Sequence, residues 1–147
     1  MCRRAVIAVL CGVTLGGCAP LPATTALQKK QRMVYVLPGI EGPSRINRNI
    51  VRGLLDGGIE GAVEIFDWST TAGPFAWYVH LTDIRRNRVE ASRLARRILR
   101  VQREFPDRPI FLVAHSGGAG IALSAVEMLP ETTGVDGVIL LAAAVSP

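Results

Sequence analysis

Four short hydrophobic runs, separated by longer polar or amphipathic segments, organise the chain. They cover residues 32–37, 62–66, 110–114 and 138–142. Their length and their content of β-branched residues are typical of buried strands. Gly or Pro follows the first run directly, and a Pro-rich breaker over 105–109 precedes the third. The pattern therefore predicts four strands that lie inside a folded core.

The segments between these runs have the spacing of helices. Hydrophobic residues recur over 46–56 at intervals of three and four, and Gly57-Gly58 ends the segment. A longer helix is predicted over 83–105, with Leu94 and Ile98 in its buried stripe, and a third after Ser116. Alternating strands and helices with right-handed crossovers predict the α/β class, a three-layer sandwich with a mostly parallel sheet.

A polar pair interrupts the chain between the third run and the helix after it. The local sequence is Ala114-His115-Ser116-Gly117-Gly118, which is G-x-S-x-G with alanine for the first glycine. In a nucleophile elbow, such a strand-to-helix turn lifts the serine hydroxyl clear of the sheet edge. The start of the helix then directs amides and its positive dipole end towards a developing oxyanion. An ordinary N-cap serine is the alternative interpretation.

Over this stretch the chain resembles the α/β-hydrolase superfamily, in particular its lipase and esterase branches. The resemblance covers roughly residues 33–147 and implies that Ser116 is the nucleophile and that the Gly117 amide helps to form the oxyanion hole. The first strand is followed by Pro38-Gly39 where the family often has His-Gly. By resemblance, the amide of Ile40 is the best second donor, with Glu41 next. An ordinary strand-to-helix loop is the alternative here.

Further residues lie where the ligand-binding edge of the sheet is predicted. Asp67 and Trp68 follow the second strand, so we expect them, with Glu41 and His115, to be pocket candidates. A capped strand end with a packed indole explains Asp67 and Trp68 equally well. The aromatic loop over 70–82 suits an acyl-chain pocket or lid, or packing beneath a long connection.

A catalytic base is missing from this pattern. The family's triad runs Ser, acid, His along the chain, but no histidine follows Ser116. The elbow turns His115 away from its neighbour, and we interpret His80 as a structural group in preference to an unorthodox base. We therefore expect residues 32–147 to be the N-terminal part of a truncated α/β-hydrolase domain. Its acid and base would lie beyond Pro147, so little turnover is predicted.

The first residues have a different composition from the rest. Two arginines precede an apolar run over 5–15 that is too short to span a bilayer, and Leu15-Gly16-Gly17-Cys18 follows. This ending resembles a bacterial lipobox, which implies cleavage before Cys18 and a diacylglycerol on its sulfur. Residues 1–17 would be a signal peptide and 18–31 a lipidated tether to a membrane of the bacterial cell envelope. The alternative is a secreted or uncleaved signal in which Cys18 is incidental.

Positive charge is concentrated on one face of the long predicted helix. Eight arginines lie there against three acidic residues, an excess equal to the formal net charge of +5 for the whole chain. Such a face can contact anionic headgroups, although a solvated face is the favoured interpretation. No nucleic-acid motif accompanies it, and there is no metal-ligand spacing or phosphate loop. We therefore predict neither a nucleic-acid partner nor a cofactor.

Together these features predict a membrane-anchored serine hydrolase that acts on a carboxylic ester or a lipid. Ser116 would attack the acyl carbonyl. A non-catalytic lipoprotein that uses the fold as a binding scaffold is one alternative, because a fold alone does not fix a function. Thioester hydrolysis or acyl transfer at the same serine is the other.

Overall fold

The computed structural model describes residue 21 and residues 24–69 and 83–144. Strands and helices alternate over most of this part of the chain, as the hydrophobic pattern predicts. The elements are α1 (Ala26–Gln31), β1 (Met33–Leu37), α2 (Arg45–Asp56), β2 (Ala62–Ile65), α3 (Ile84–Glu104), β3 (Ile110–His115), α4 (Gly118–Glu127) and β4 (Gly137–Leu141).

The four strands form one parallel sheet in the order β2-β1-β3-β4. Val36 of β1 pairs with Val113 of β3, and Val113 pairs in turn with Ile139 of β4. From β1 the chain continues to β2, which lies on one side of β1, and then to β3, which lies on the other side. The carboxyl ends of β1 and β3 therefore flank the topological switch point, the usual ligand crevice of an open α/β sheet.

Alternate residues of the strands pack against helices on opposite faces of the sheet. Val34 and Val36 join Val113 and Val51 of α2 in one hydrophobic cluster. Tyr35 and Leu37 point the other way and pack into a larger cluster with residues of α3 and α4. Because β1 is buried on both faces, all five of its residues are hydrophobic. The predicted three-layer α/β architecture is confirmed.

The segment predicted as a tether contains a short helix that the hydrophobic pattern did not reveal. Thr25 and Gln28 form a capping box, in which the Thr25 hydroxyl accepts from the Gln28 amide at 3.2 Å. The Gln28 side chain accepts from the Thr25 amide at 2.9 Å in return. Leu21 packs against the α2 side of the sheet. Part of residues 18–31 therefore contacts the folded domain.

The two edge strands differ in what they present to solvent. On β4, Ile139 is 49% exposed and Leu140 40% exposed, whereas β2 carries no large exposed hydrophobic residue. An open strand edge with apolar side chains favours association.

Several predictions fall outside the described residues. These are the signal peptide over 1–17, lipidation of Cys18, and the aromatic loop over 70–82 with His80. Within the ranges that the structure describes, no helix is both long and apolar enough to cross a membrane.

Candidate active site

Ser116 lies in the turn between β3 and α4 with a left-handed backbone, φ 49°. Its amide donates to the Leu141 carbonyl at 3.0 Å, and its carbonyl accepts from the amides of Ala119 and Ala144, each at 3.1 Å. A left-handed non-glycine residue costs on the order of 1–3 kcal/mol and persists only where its surroundings impose it. These three hydrogen bonds impose it here.

The N-cap interpretation of Ser116 does not fit this geometry. The N-cap of α4 is Gly117, which has no side chain with which to cap the helix. An N-cap serine would have an extended backbone and would accept a hydrogen bond from an amide of the first turn. Ser116 instead has the strained backbone that is typical of a nucleophile elbow.

Gly118 explains why small residues follow the serine. A β-carbon at this position would lie 2.9 Å from the Leu37 carbonyl oxygen and closer still to the Pro38 oxygen. The start of α4 therefore packs directly against the backbone at the end of β1. Only glycine permits this approach, because real β-carbons do not come so near to backbone oxygens.

This close packing brings Gly117 beside the loop that follows β1. A β-carbon on Gly117 would lie 3.0 Å from Cγ2 of Ile40 and 3.8 Å from the Ile40 backbone nitrogen. The structure thus brings together the two residues whose amides the resemblance implies as oxyanion-hole donors. Both lie at the switch point of the sheet, next to Ser116.

Trp68 supports this loop from within the core. It is 1% exposed, and its Nε1 donates to the Pro38 carbonyl at 2.7 Å. Its Cζ2 would lie 3.7 Å from a β-carbon on Gly117. The indole is therefore packed beneath the edge of the sheet and holds the loop in place. This agrees with the alternative in which Trp68 is a packed indole at a capped strand end.

Asn47 on α2 is a second support, which the sequence analysis did not single out. Its side chain is fully buried, and its Nδ2 donates to Glu41 Oε1 at 3.2 Å, the Gly42 carbonyl at 3.1 Å and Ser44 Oγ at 2.9 Å. Asn47 lies four residues before the buried Val51, so the two share the inner face of the helix. This spacing indicates from the sequence that Asn47 is buried.

Glu41 folds back over its own loop. Burial raises the pKa of its carboxyl group, but hydrogen bonds from its own amide, from Asn47 and from Gly39, with the nearby His115, leave the pKa below its ordinary value. The amide of Glu41 is thus engaged by its own side chain. Oε1 lies 3.3 Å from His115 Nδ1, at ion-pair distance but without hydrogen-bond geometry.

Asp67 caps the end of β2. Its Oδ1 accepts from the Ser69 amide at 2.9 Å and from the Ser69 hydroxyl at 2.5 Å. Its carbonyl accepts from Arg93 of α3. The side chain is thus engaged within its own turn, and this is the capped strand end that the sequence left open as an alternative to a pocket role.

No base is found next to the serine in the part of the chain that the structure describes. Neither a histidine nor a carboxylate there hydrogen-bonds to Ser116 Oγ, and His115 contacts Glu41 instead. The described residues also contain no cluster of three or more His, Cys, Asp or Glu that could hold a metal ion. His80 lies outside these ranges.

No model of a known protein family, no curated protein and no solved structure matches this chain. The resemblance to α/β-hydrolases therefore stays a prediction that rests on the Ser116 motif and its surroundings.

Proposed function

We propose that this chain carries the nucleophile and oxyanion hole of a serine hydrolase for carboxylic esters or lipids. One observation supports this above the others: Ser116 has a left-handed backbone between β3 and α4. A nucleophile elbow holds its serine in this kind of strained turn between a strand and a helix, at the carboxyl edge of a parallel sheet.

In the proposed reaction, Ser116 Oγ attacks the acyl carbonyl carbon and forms a tetrahedral intermediate. The amides of Gly117 and Ile40 stabilise its oxyanion, assisted by the positive end of the α4 dipole. Collapse of the intermediate releases the alcohol and leaves an acyl-enzyme, which water then hydrolyses. Each oxyanion-hole donor contributes on the order of 3 kcal/mol to such catalysis.

The serine must transfer its proton to a base before it attacks efficiently. We propose that this base lies outside the described residues. Without it, only the modest rate enhancement from the oxyanion hole and substrate binding remains. A labelling experiment is therefore a more sensitive test than an esterase assay, because it requires one slow attack by Ser116 and no repeated turnover.

The test is labelling of the purified chain with an alkyl fluorophosphonate, followed by peptide mapping. We expect slow modification of Ser116 that is abolished in Ser116→Ala and unchanged in Ser124→Ala, a control on α4. If the folded chain shows no labelling at Ser116, even at high pH, the non-catalytic scaffold is the better interpretation. Faster cleavage of a butyryl thioester than of p-nitrophenyl butyrate would favour the thioesterase alternative.

We also propose that Cys18 is lipidated and anchors the protein in a bacterial envelope membrane. The support is the Leu-Gly-Gly-Cys sequence after a short apolar run. Labelling of expressing bacterial cells with radioactive palmitate should be lost in Cys18→Ala and retained in Cys11→Ala, whose cysteine lies in the predicted signal peptide. Retention of the label in Cys18→Ala would contradict lipidation at this residue.

A further inference from the structure

A large cleft lies between α3 and the sheet, and none of its lining residues belongs to the Ser116 turn. Its volume is about 690 Å³, in the range typical of small-molecule sites. The basic residues that line it are Lys30, Arg93, Arg96, Arg97, Arg100 and Arg108. Only two acidic residues, Glu64 and Glu104, line it with them. The cleft therefore has an excess of positive charge.

The floor of this cleft is apolar. Met33 of β1 and Phe66, the residue after β2, are buried. Val101 of α3 and Phe105, the residue after α3, line the cleft with them. The Tyr35 hydroxyl lies among them, and burial raises the pKa of this phenol despite the neighbouring Arg97. The cleft thus combines a hydrophobic base with a cationic rim, and an anion that carries an apolar group is complementary to both.

Two of the arginines are engaged by the protein itself. Arg97 Nη2 lies 2.5 Å from Glu64 Oε2, and its Nε donates to the Tyr35 hydroxyl at 3.3 Å. Arg93 forms an ion pair with Glu90 at 2.7 Å. Within the described ranges, Arg96 bonds only to the neutral Ser92 hydroxyl, and Arg100 has no carboxylate within ion-pair distance. Arg96 and Arg100 therefore have charge available for a ligand.

Arg108 is the most informative of the lining residues. It is 6% exposed, yet within the described ranges its Nε has no hydrogen-bond acceptor and no carboxylate pairs with it. Its Nη2 has one acceptor, the Arg32 carbonyl, at the long distance of 3.5 Å. Burial lowers the pKa of its guanidinium, although Tyr35 and the two glutamates oppose this. A buried cation without a counter-ion is unfavourable, and an anion in the cleft would relieve it.

We propose that this cleft binds a phosphomonoester that carries an apolar group. A phosphate has three terminal oxygens, so it can accept hydrogen bonds from Arg96, Arg100 and Arg108, whereas a carboxylate has only two oxygens. The apolar group would lie on the floor formed by Met33, Phe66, Val101 and Phe105. This binding does not depend on Ser116 or on the hydrolase proposal.

Isothermal titration of the purified full chain with hexyl phosphate tests the proposal. We expect saturable binding at one site, at least about tenfold tighter than binding of hexanoate, and none with 1-hexanol. Arg100→Gln should weaken binding by about tenfold or more, since a hydrogen bond to a charged group contributes about 1.5–3 kcal/mol. Arg103→Gln, one turn further along α3 and outside the cleft, should leave the affinity unchanged.

Several outcomes would overturn the proposal. These are equal binding of hexanoate and hexyl phosphate, equal effects of Arg100→Gln and Arg103→Gln, and absence of binding by the folded chain. Arg108→Gln provides a second variant; because its folding is sensitive to the loss of a buried side chain, its circular dichroism is measured first. Ser116→Ala should bind hexyl phosphate as the parent chain does, which separates this site from the hydrolase proposal.

Vesicles distinguish the two sources of such a ligand. Phosphatidic acid presents a phosphomonoester at a membrane surface, and phosphatidylglycerol presents a phosphodiester of single negative charge. Co-sedimentation with phosphatidic acid vesicles that is lost in Arg100→Gln but not in Arg103→Gln would identify a lipid headgroup. Binding of hexyl phosphate without such co-sedimentation would identify a soluble phosphomonoester. Co-sedimentation that depends equally on both arginines would contradict a role for the cleft.

Discussion

The turn at Ser116 and the arginine cleft are built in opposite ways. Around Ser116, backbone groups set the geometry. The carbonyl oxygens of Leu37 and Pro38 lie against Gly118. The amide and the carbonyl of Ser116 both form hydrogen bonds with other backbone groups. In the cleft, long side chains such as that of Arg100 form much of the lining. The comparison predicts that an added methyl group in the turn lowers the free energy of unfolding strongly. A single side-chain substitution in the cleft should change this free energy little.

The largest effect is expected for Gly118→Ala. The new methyl group would lie 2.9 Å from the Leu37 oxygen and closer to the Pro38 oxygen, and backbone atoms cannot move aside cheaply. We expect the free energy of unfolding to fall by about 3 kcal/mol. Urea denaturation followed by circular dichroism measures it.

Gly120→Ala is the matched control, because a β-carbon there would meet nothing within 4 Å. It should leave stability unchanged or raise it by up to about 1 kcal/mol through helix propensity. Equal effects of the two substitutions would contradict the close approach of α4 to β1.

Asn47→Ala should have the next largest effect. The substitution removes three hydrogen bonds that hold the loop after β1 and leaves the Gly42 carbonyl without this donor. We expect a loss of about 2 kcal/mol in urea denaturation. Asn49→Ala on the exposed face of the same helix should change stability by less than about 0.5 kcal/mol. A similarly small effect at Asn47 would mean that the loop is held by other contacts.

A smaller, pH-dependent effect is expected at Glu41. Its pKa in the folded chain lies below the ordinary value of 4.5, so its ionised form stabilises the fold above that pH. This stabilisation is lost as the pH falls through the folded-state pKa. Because 35% of the side chain is exposed, we expect less than about 1 kcal/mol.

The measurement compares Glu41→Gln with the parent chain by urea denaturation between pH 3 and pH 7. The stability difference should be present at pH 6 and should shrink as the solution is acidified. A difference that is independent of pH would show that the charge of Glu41 does not stabilise the loop.

The smallest effect is expected for Arg100→Gln in the absence of a ligand. This side chain has no carboxylate partner among the described residues, so its removal should change the free energy of unfolding by less than about 0.5 kcal/mol. A destabilisation of 2 kcal/mol would place Arg100 in the structural framework and would remove the contrast between the two regions.

The sequence predicts the sheet and the turn at Ser116 well because both depend on local patterns. Buried strands require hydrophobic runs, and a tight strand-to-helix turn requires small residues such as Gly118. Both requirements concern residues that are consecutive in the sequence. The structure accordingly confirms the parallel α/β sandwich and places Ile40 beside Gly117.

The sequence does not predict the cleft because its residues are distant along the chain. Helical periodicity assigns the arginines of α3 to a polar face, which we interpreted as solvated. In the structure, three of them cover aromatic rings: Arg93 lies 4.5 Å from the Phe66 centroid, Arg97 5.3 Å from Tyr35 and Arg86 6.0 Å from Trp68. A long arginine stem packs on apolar surface while its charged end reaches water, and a helical period cannot reveal this.

The left-handed conformation of Ser116 also bears on how the protein can be engineered. Glycine adopts this conformation without strain, so a selection for heat resistance alone would favour Gly at position 116. Such a selection would discard the hydroxyl group on which the proposed chemistry depends. A stabilisation programme for this protein therefore needs a screen for reactivity beside its screen for melting temperature.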